Sequence, residues 1–154
     1  MPTSEQLREY LEGNGVKYSL SFHRPAYTAR QAAKHNQVPP CRMAKTVMFV
    51  ADGDFAIALL ASDMRIDGAL LGDGVGAAWL RLATPLEIEQ VFPYGEPGAL
   101  PPFGNLYGLP VYLDEILASQ PEVVINGGSP AQAIQIRTRD LIRLSGATVI
   151  RFAQ

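Results

Sequence analysis

The chain is poor in the residue types that most often announce chemistry. It has one cysteine, Cys41, and two histidines, His23 and His35, among 154 residues. A lone cysteine excludes an internal disulfide and a cysteine-based metal cluster. The histidines lie too far apart to form a metal pair on one helix. No apolar run is long: Phe55 to Ala61 is typical, against the roughly 20 residues that a bilayer-spanning helix needs. Excess positive charge is missing too, with 13 Lys and Arg against 15 Asp and Glu and a net charge of -2. That balance argues against nonspecific binding along a duplex, which requires many phosphate contacts. Recognition of one RNA end needs few charges and stays open. The first residues, Met1 to Glu5, have no basic-then-apolar signal pattern, so a cytoplasmic protein with no membrane partner is expected. There is no Walker A loop, no G-x-G-x-x-G, no G-x-S-x-G elbow and no H-E-x-x-H. No close pair of acidic residues reads as an acid/base dyad, and neither Ser62-Asp63 nor Ser129 has an identifiable histidine partner.

What is present suits a globular domain. The chain is 47% hydrophobic and 18% charged, and its length fits one domain over residues 1–154. Thr3 with Gln6 reads as a capping box opening a helix through Leu11, closed by Gly13 and Gly15. Tyr18 to Phe22 alternates as an edge strand does, and Thr28 with Gln31 predicts a second short helix to about Lys34. Thr46 to Val50 and Phe55 to Ala61, joined at Asp52-Gly53-Asp54, predict a hairpin. A short helix is expected over Met64 to Leu71, then a Gly-rich turn at Gly72 to Gly76 and a strand at Ala77 to Leu82. Thr84 caps a helix with Pro85 at its first position, ending before Pro93, and Pro93 to Pro110 reads as a loop. Strands are expected at Val111 to Leu113, Val123 to Asn126, Ala133 to Arg137 and Thr148 to Phe152, with a helix at Thr138 to Leu144. Strands and helices mix without a steady βαβ alternation, which predicts an α+β fold with a mixed or antiparallel sheet.

Four segments are unusual for a plain core, and each has two readings. His23-Arg24-Pro25-Ala26-Tyr27-Thr28 is either a polar rim or a surface turn leading to a helix cap. Lys45 stands at the mouth of an apolar strand. There its ammonium either anchors a carbonyl or phosphate oxygen or simply snorkels to solvent. Gly98-Ala99-Leu100-Pro101-Pro102-Phe103-Gly104 is stiff, with two φ angles fixed by proline, and serves as a ligand loop or as a rigid connector. Asn126-Gly127-Gly128-Ser129-Pro130 lets backbone approach a ligand closely, or forms an ordinary turn.

These segments also carry a resemblance. Lys45-Thr46-Val47, preceded by His23, Pro25 and Thr28, resembles the YbaK/aminoacyl-tRNA-synthetase-associated domain family, the prolyl-tRNA-synthetase-type editing domains. So do Gly98 to Gly104 continued through Leu109-Pro110-Val111-Tyr112-Leu113-Asp114, and Val124-Ile125-Asn126-Gly127-Gly128 followed by Ile134-Gln135-Ile136 and Asp140-Leu141. The resemblance implies an α+β fold on a twisted, mixed, barrel-like sheet with short helices around it. It implies a free-standing hydrolase that acts in trans on the ester between a wrong amino acid and the terminal adenosine of tRNA. The tRNA implied is that for proline, carrying a small residue such as alanine. Lys45 falls on the family's functional lysine. Gly98, Pro101, Pro102, Phe103 and Gly104 fall on its substrate loop, and Gly127 and Gly128 on its glycine turn. His23, Tyr27, Thr28 and Ser129 complete the implied substrate contacts. Some members have a histidine after the turn where Ser129-Pro130 stand here. No metal and no cofactor are implied; the partners are mischarged tRNA and, as a further candidate, a synthetase. A non-catalytic module binding a nucleotide or aminoacyl end is the competing expectation, and a hydrolase of other small esters a third. The editing reading requires Lys45 and the proline loop to share one cleft.

Overall fold

Local signals set most element ends. Thr84 accepts the Glu87 N–H while the Glu87 carboxylate accepts the Thr84 N–H, a reciprocal capping box with Pro85 at the first helical position. Asp52 and Gly53, with φ of 50° and 90°, form the two-residue turn of a hairpin whose strands pair over eight positions each. The computed structural model describes residues 4–22, 38–92, 100, 102–127 and 132–154. Within these the order is α1 (Ser4–Gly13), β1 (Tyr18–Phe22), β2 (Ala44–Ala51), β3 (Asp54–Ala61), α2 (Gly68–Val75), β4 (Leu80–Leu82) and α3 (Pro85–Val91). It continues with β5 (Val111–Asp114), α4 (Glu115–Ala118), β6 (Glu122–Asn126), β7 (Gln132–Arg137), α5 (Thr138–Ser145) and β8 (Thr148–Ile150), and short 3-10 turns occupy Pro40–Arg42 and Gly104–Tyr107. The helix expected from Thr28 lies outside the described residues.

The strands form two sheets. One has the order β1-β7-β6 and is antiparallel; the other has the order β4-β2-β3-β5-β8 and is mixed, with β3-β5 and β5-β8 parallel. A parallel bridge between Met43 and Val124 joins them at the start of β2. This is the mixed, twisted α+β arrangement expected from the sequence.

The inner core lies between the sheets. Ala44, Met48, Ile57, Leu59 and Leu113 face Val123, Ile125, Ile134 and Ile136, and α1 adds Leu7 and Leu11 while α5 adds Leu141 and Leu144. On the outer face of the larger sheet Phe49, Ala58 and Leu60 meet Leu71 of α2 and Phe152. Burial on both faces is why Phe55 to Ala61 is continuously apolar rather than alternating.

Two expectations are corrected. The helix expected at Met64 to Leu71 begins at Gly68, where Asp67 accepts the N–H groups of Ala69 and Leu70; Arg65 and Ile66 instead pair with the chain around Ala153. The expected Gly-rich turn therefore lies inside α2 up to Gly76. Strand β8 stops at Ile150, because Asp114 takes the N–H groups of Phe152 and Ala153. Tertiary partners, invisible to local pattern, decide both cases. Sequence reading also omitted α4, a single turn capped by Asp114.

Gly104 sits where side chains from three directions converge. A Cβ there would lie 2.9 Å from Ile57 Cγ1, 3.2 Å from Val111 Cγ2 and 3.3 Å from Leu109 Cβ. Overpacking of this kind costs about 1–3 kcal/mol. Gly104→Ala is expected to lower stability by that amount in urea unfolding with an unchanged m-value; wild-type stability would show that this contact is loose.

Candidate functional site

The site is built on one edge of β2. Strand β3 covers the other edge along its whole length. On the free side β4 pairs only with Phe49 to Ala51, and β6 meets the chain only at Met43. Among the described residues, no strand runs beside positions 45 to 47 on that edge. A cleft of about 420 Å³ opens there, with Val47, Ile66, Leu80 and Leu82 as apolar wall and Lys45, Arg65 and Arg81 as cationic rim.

Alternation along β2 places Lys45 and Val47 on the face opposite Ala44 and Met48, away from the inner core. The Lys45 side chain is half-buried, and its ammonium donates to the Met64 carbonyl. From the parallel Met43–Val124 bridge, the chain runs on two residues to Lys45 on one side and Asn126 on the other, and alternation sends both side chains to the same face. Buried Asn126 donates from Nδ2 to the Leu100 carbonyl at 3.3 Å. Asn126 thereby ties the end of β6 to the proline loop, two residues beyond the bridge that Lys45 also follows.

The turn after β6 is tight. Gly127 N–H donates to the Gln132 carbonyl at 3.0 Å, and a Cβ on Gly127 would come within 2.9 Å of Gln132 Cβ and 3.2 Å of its carbonyl carbon. Only glycine closes this turn without moving backbone. Gln132 Oε1 is buried beside it and has no hydrogen-bond partner among the described residues, leaving an acceptor next to the turn.

The described residues of the proline loop after Leu100 turn inward. Pro102 is buried, and the Phe103 ring is fully buried against Tyr10 of α1, edge to face at 5.5 Å. Phe103 and Gly104 thus anchor the loop from beneath, and Leu100 is buried in the inner core as well. His23, Tyr27, Thr28, Gly98, Pro101, Gly128 and Ser129 lie outside the described residues. Arg65, Ile66, Arg81 and Gln132 were not singled out in the sequence. An arginine on a short strand or after a methionine carries no local signal; only the fold brings Arg65, Ile66 and Arg81 to the cleft and Gln132 beside Gly127.

Arg81 is held by a bidentate pair with Glu87, at 2.7 and 3.0 Å. The Arg81 hydrogen bonds, joined by the Thr84 N–H, lower the Glu87 carboxyl from its ordinary 4.5 to about 2. Among the described residues no cluster of three or more His, Cys, Asp or Glu could hold a metal ion. Nor is any helix long and apolar enough to cross a membrane.

An aminoacyl-tRNA editing domain model matches residues 23–144, and the chain belongs to that family. Its relatives include the proline–tRNA ligase of Heliobacterium modesticaldum, 31% identical over 103 residues, or 67% of this chain and 18% of the ligase. The multifunctional Ser/Thr-tRNA deacylase ProXp-y of Escherichia coli K12 is 28% identical over 101 residues, or 62% of this chain and 58% of that protein. The chain thus matches under two thirds of either relative's length. The crystal structure of a proposed trans-editing enzyme for prolyl tRNA synthetase superposes with a TM-score of 0.83 at 29% identity, covering 100% of this chain and 98% of that one.

Because the folded-state pKa of Glu87 is depressed, its contribution to the start of α3 and to holding Arg81 is complete above pH 4.5 and is lost as pH falls through about 2. A carbon-detected titration of the Glu87 carboxyl is expected to give a midpoint near 2; a midpoint at 4.5 would show that Arg81 is not held in solution.

Proposed function

We propose that this chain hydrolyses the ester between a wrong amino acid and the terminal adenosine of tRNA, acting in trans as a free-standing domain in the cytoplasm. The substrate on this reading is tRNA for proline carrying a small residue such as alanine, with a synthetase as a further partner. The observation that carries the reading is the position of Lys45, on the rim of an apolar cleft and two residues past the bridge that joins the chain to β6. The names of the relatives, a proline–tRNA ligase and a Ser/Thr-tRNA deacylase, support it.

An aminoacyl ester is already activated, so its hydrolysis needs less machinery than that of an amide. Water adds to the ester carbonyl carbon, the carbonyl electrons move onto oxygen, and the tetrahedral intermediate collapses by expelling the ribose oxygen. That oxygen takes up the proton that the water gives up, leaving free amino acid and tRNA. In this scheme the Lys45 ammonium anchors the acyl end and polarises it. The Gly127 N–H is taken by the Gln132 carbonyl, so the Gly128 N–H is the donor that on this reading orients the ester carbonyl and stabilises the developing negative charge. The neighbouring ribose hydroxyl assists the water. Val47, Ile66, Leu80 and Leu82 receive the amino-acid side chain, and their packing decides which residues fit.

Lys45→Ala is expected to reduce release of alanine from Ala-charged tRNA for proline by roughly 100- to 1000-fold while circular dichroism stays that of the wild type. The assay includes Ser-, Thr- and Cys-charged tRNA and simple aminoacyl esters. A folded Lys45→Ala protein with full activity contradicts the mechanism. Binding of charged tRNA by wild type without release assigns a binding module instead, and equal turnover of simple esters assigns a general esterase.

A further inference from the structure

Asp114 is fully buried, yet its carboxylate faces no cation among the described residues. It accepts backbone N–H groups instead: Oδ1 from Phe152 and Ala153, each at 2.9 Å, and Oδ2 from Ile116 at 3.0 Å. Hydrogen bonds to a buried carboxylate are strong and short, and they fix the donor backbone. What they fix is the segment around Ala153, which pairs antiparallel with Ile66. Arg65 N–H donates to Gln154 O at 2.9 Å, Gln154 N–H to Arg65 O at 2.8 Å, and Asp67 N–H to Phe152 O at 2.7 Å. Residues 65–67 in turn follow directly on Met64, whose carbonyl receives the Lys45 ammonium. They also supply Arg65 and Ile66 to the wall of the cleft.

We propose that Asp114 is a positioning residue for Lys45: through the Phe152–Gln154 strap and residues 65–67 it holds the Met64 carbonyl where it orients the ammonium toward the cleft. A carboxylate that served only as a local cap for α4 would take its N–H groups from that turn alone. The geometry favours the brace, because two of the three N–H groups bound to Asp114 belong to the strap and not to α4. The brace also gives a use to an acidic side chain in the interior. Asparagine in the same place would present an NH₂ group to one of the two sets of N–H donors and lose that side of the clamp.

The inference rests on the editing reading for its kinetic consequence but not for its structural one, and two readouts keep them apart. In deacylation kinetics, Asp114→Asn is expected to lower kcat about tenfold with KM within twofold. In a Lys45→Ala background the same change is expected to have no further effect, because both substitutions act through one ammonium. Effects that multiply in the two backgrounds would overturn the proposal. The second readout needs no activity. The chain has three lysines, Lys17, Lys34 and Lys45, so a lysine-labelled ¹³C spectrum resolves the ε-methylene of each. Asp114→Asn is expected to shift the Lys45 signal and leave that of Lys17 in place; an unmoved Lys45 signal overturns the brace. Ala153→Pro removes one strap N–H donor without touching the carboxylate, and serves where Asp114→Asn does not fold. It is expected to shift the same signal in the same direction by a smaller amount, and no shift there counts against the proposal.

Discussion

The parallel bridge between Met43 and Val124 is the contact on which the site depends. It is the place where the smaller sheet meets the larger one, and it sets the phase between two strands that run on to Lys45 and Asn126. Side chains alternate with a period of two, so a slip of one residue at this bridge would turn Lys45 or Asn126 to the opposite face. The inner core enforces the phase. Ala44 and Met48 on one strand and Val123 and Ile125 on the other must face inward together, and that requirement sends Lys45 and Asn126 outward together.

The same bridge accounts for the cleft. Strand β6 approaches the start of β2 while β4 joins only its end, and among the described residues no strand covers the stretch between. The ammonium lies at this gap, and beyond the bridge follow the Asn126 amide clasping Leu100 and the Gly127 N–H bonded to Gln132. The apolar wall beside them excludes water from one side, and an ammonium in such surroundings interacts more strongly with a carbonyl oxygen than it would in bulk solvent.

Much of the fold was legible in the sequence because local chemistry sets it. The Asp52-Gly53 turn, the Thr84-Pro85-Glu87 cap and the apolar periodicity of α1 each point to the element that forms. The start of α2 was misplaced because Arg65 and Ile66 have tertiary partners 87 or more residues away, a pairing that no window reveals. Lys45 was legible as a lysine at the mouth of an apolar strand, and the glycines around Gly127 as a tight turn. Phe103, by contrast, reads as a loop aromatic ready for a ligand, yet its ring supports the loop from the core. Whether an aromatic in a Gly/Pro-rich loop faces in or out depends on what the rest of the chain leaves to be filled, here the space beside Tyr10. Arg65, Arg81 and Gln132 were illegible for the same reason: their roles arise from neighbours in space.

The central claim is that Lys45 and the Asn126–Gly127 turn grip one ligand from two sides. A crystal structure with a non-hydrolysable alanyl-adenosine analogue, its ester replaced by an amide, tests this most directly. The account predicts the acyl carbonyl between the Lys45 ammonium and the Gly127 turn, with the alanine methyl against Val47 and Leu80. An analogue bound elsewhere, or bound in the cleft with its carbonyl out of reach of Lys45, would contradict it.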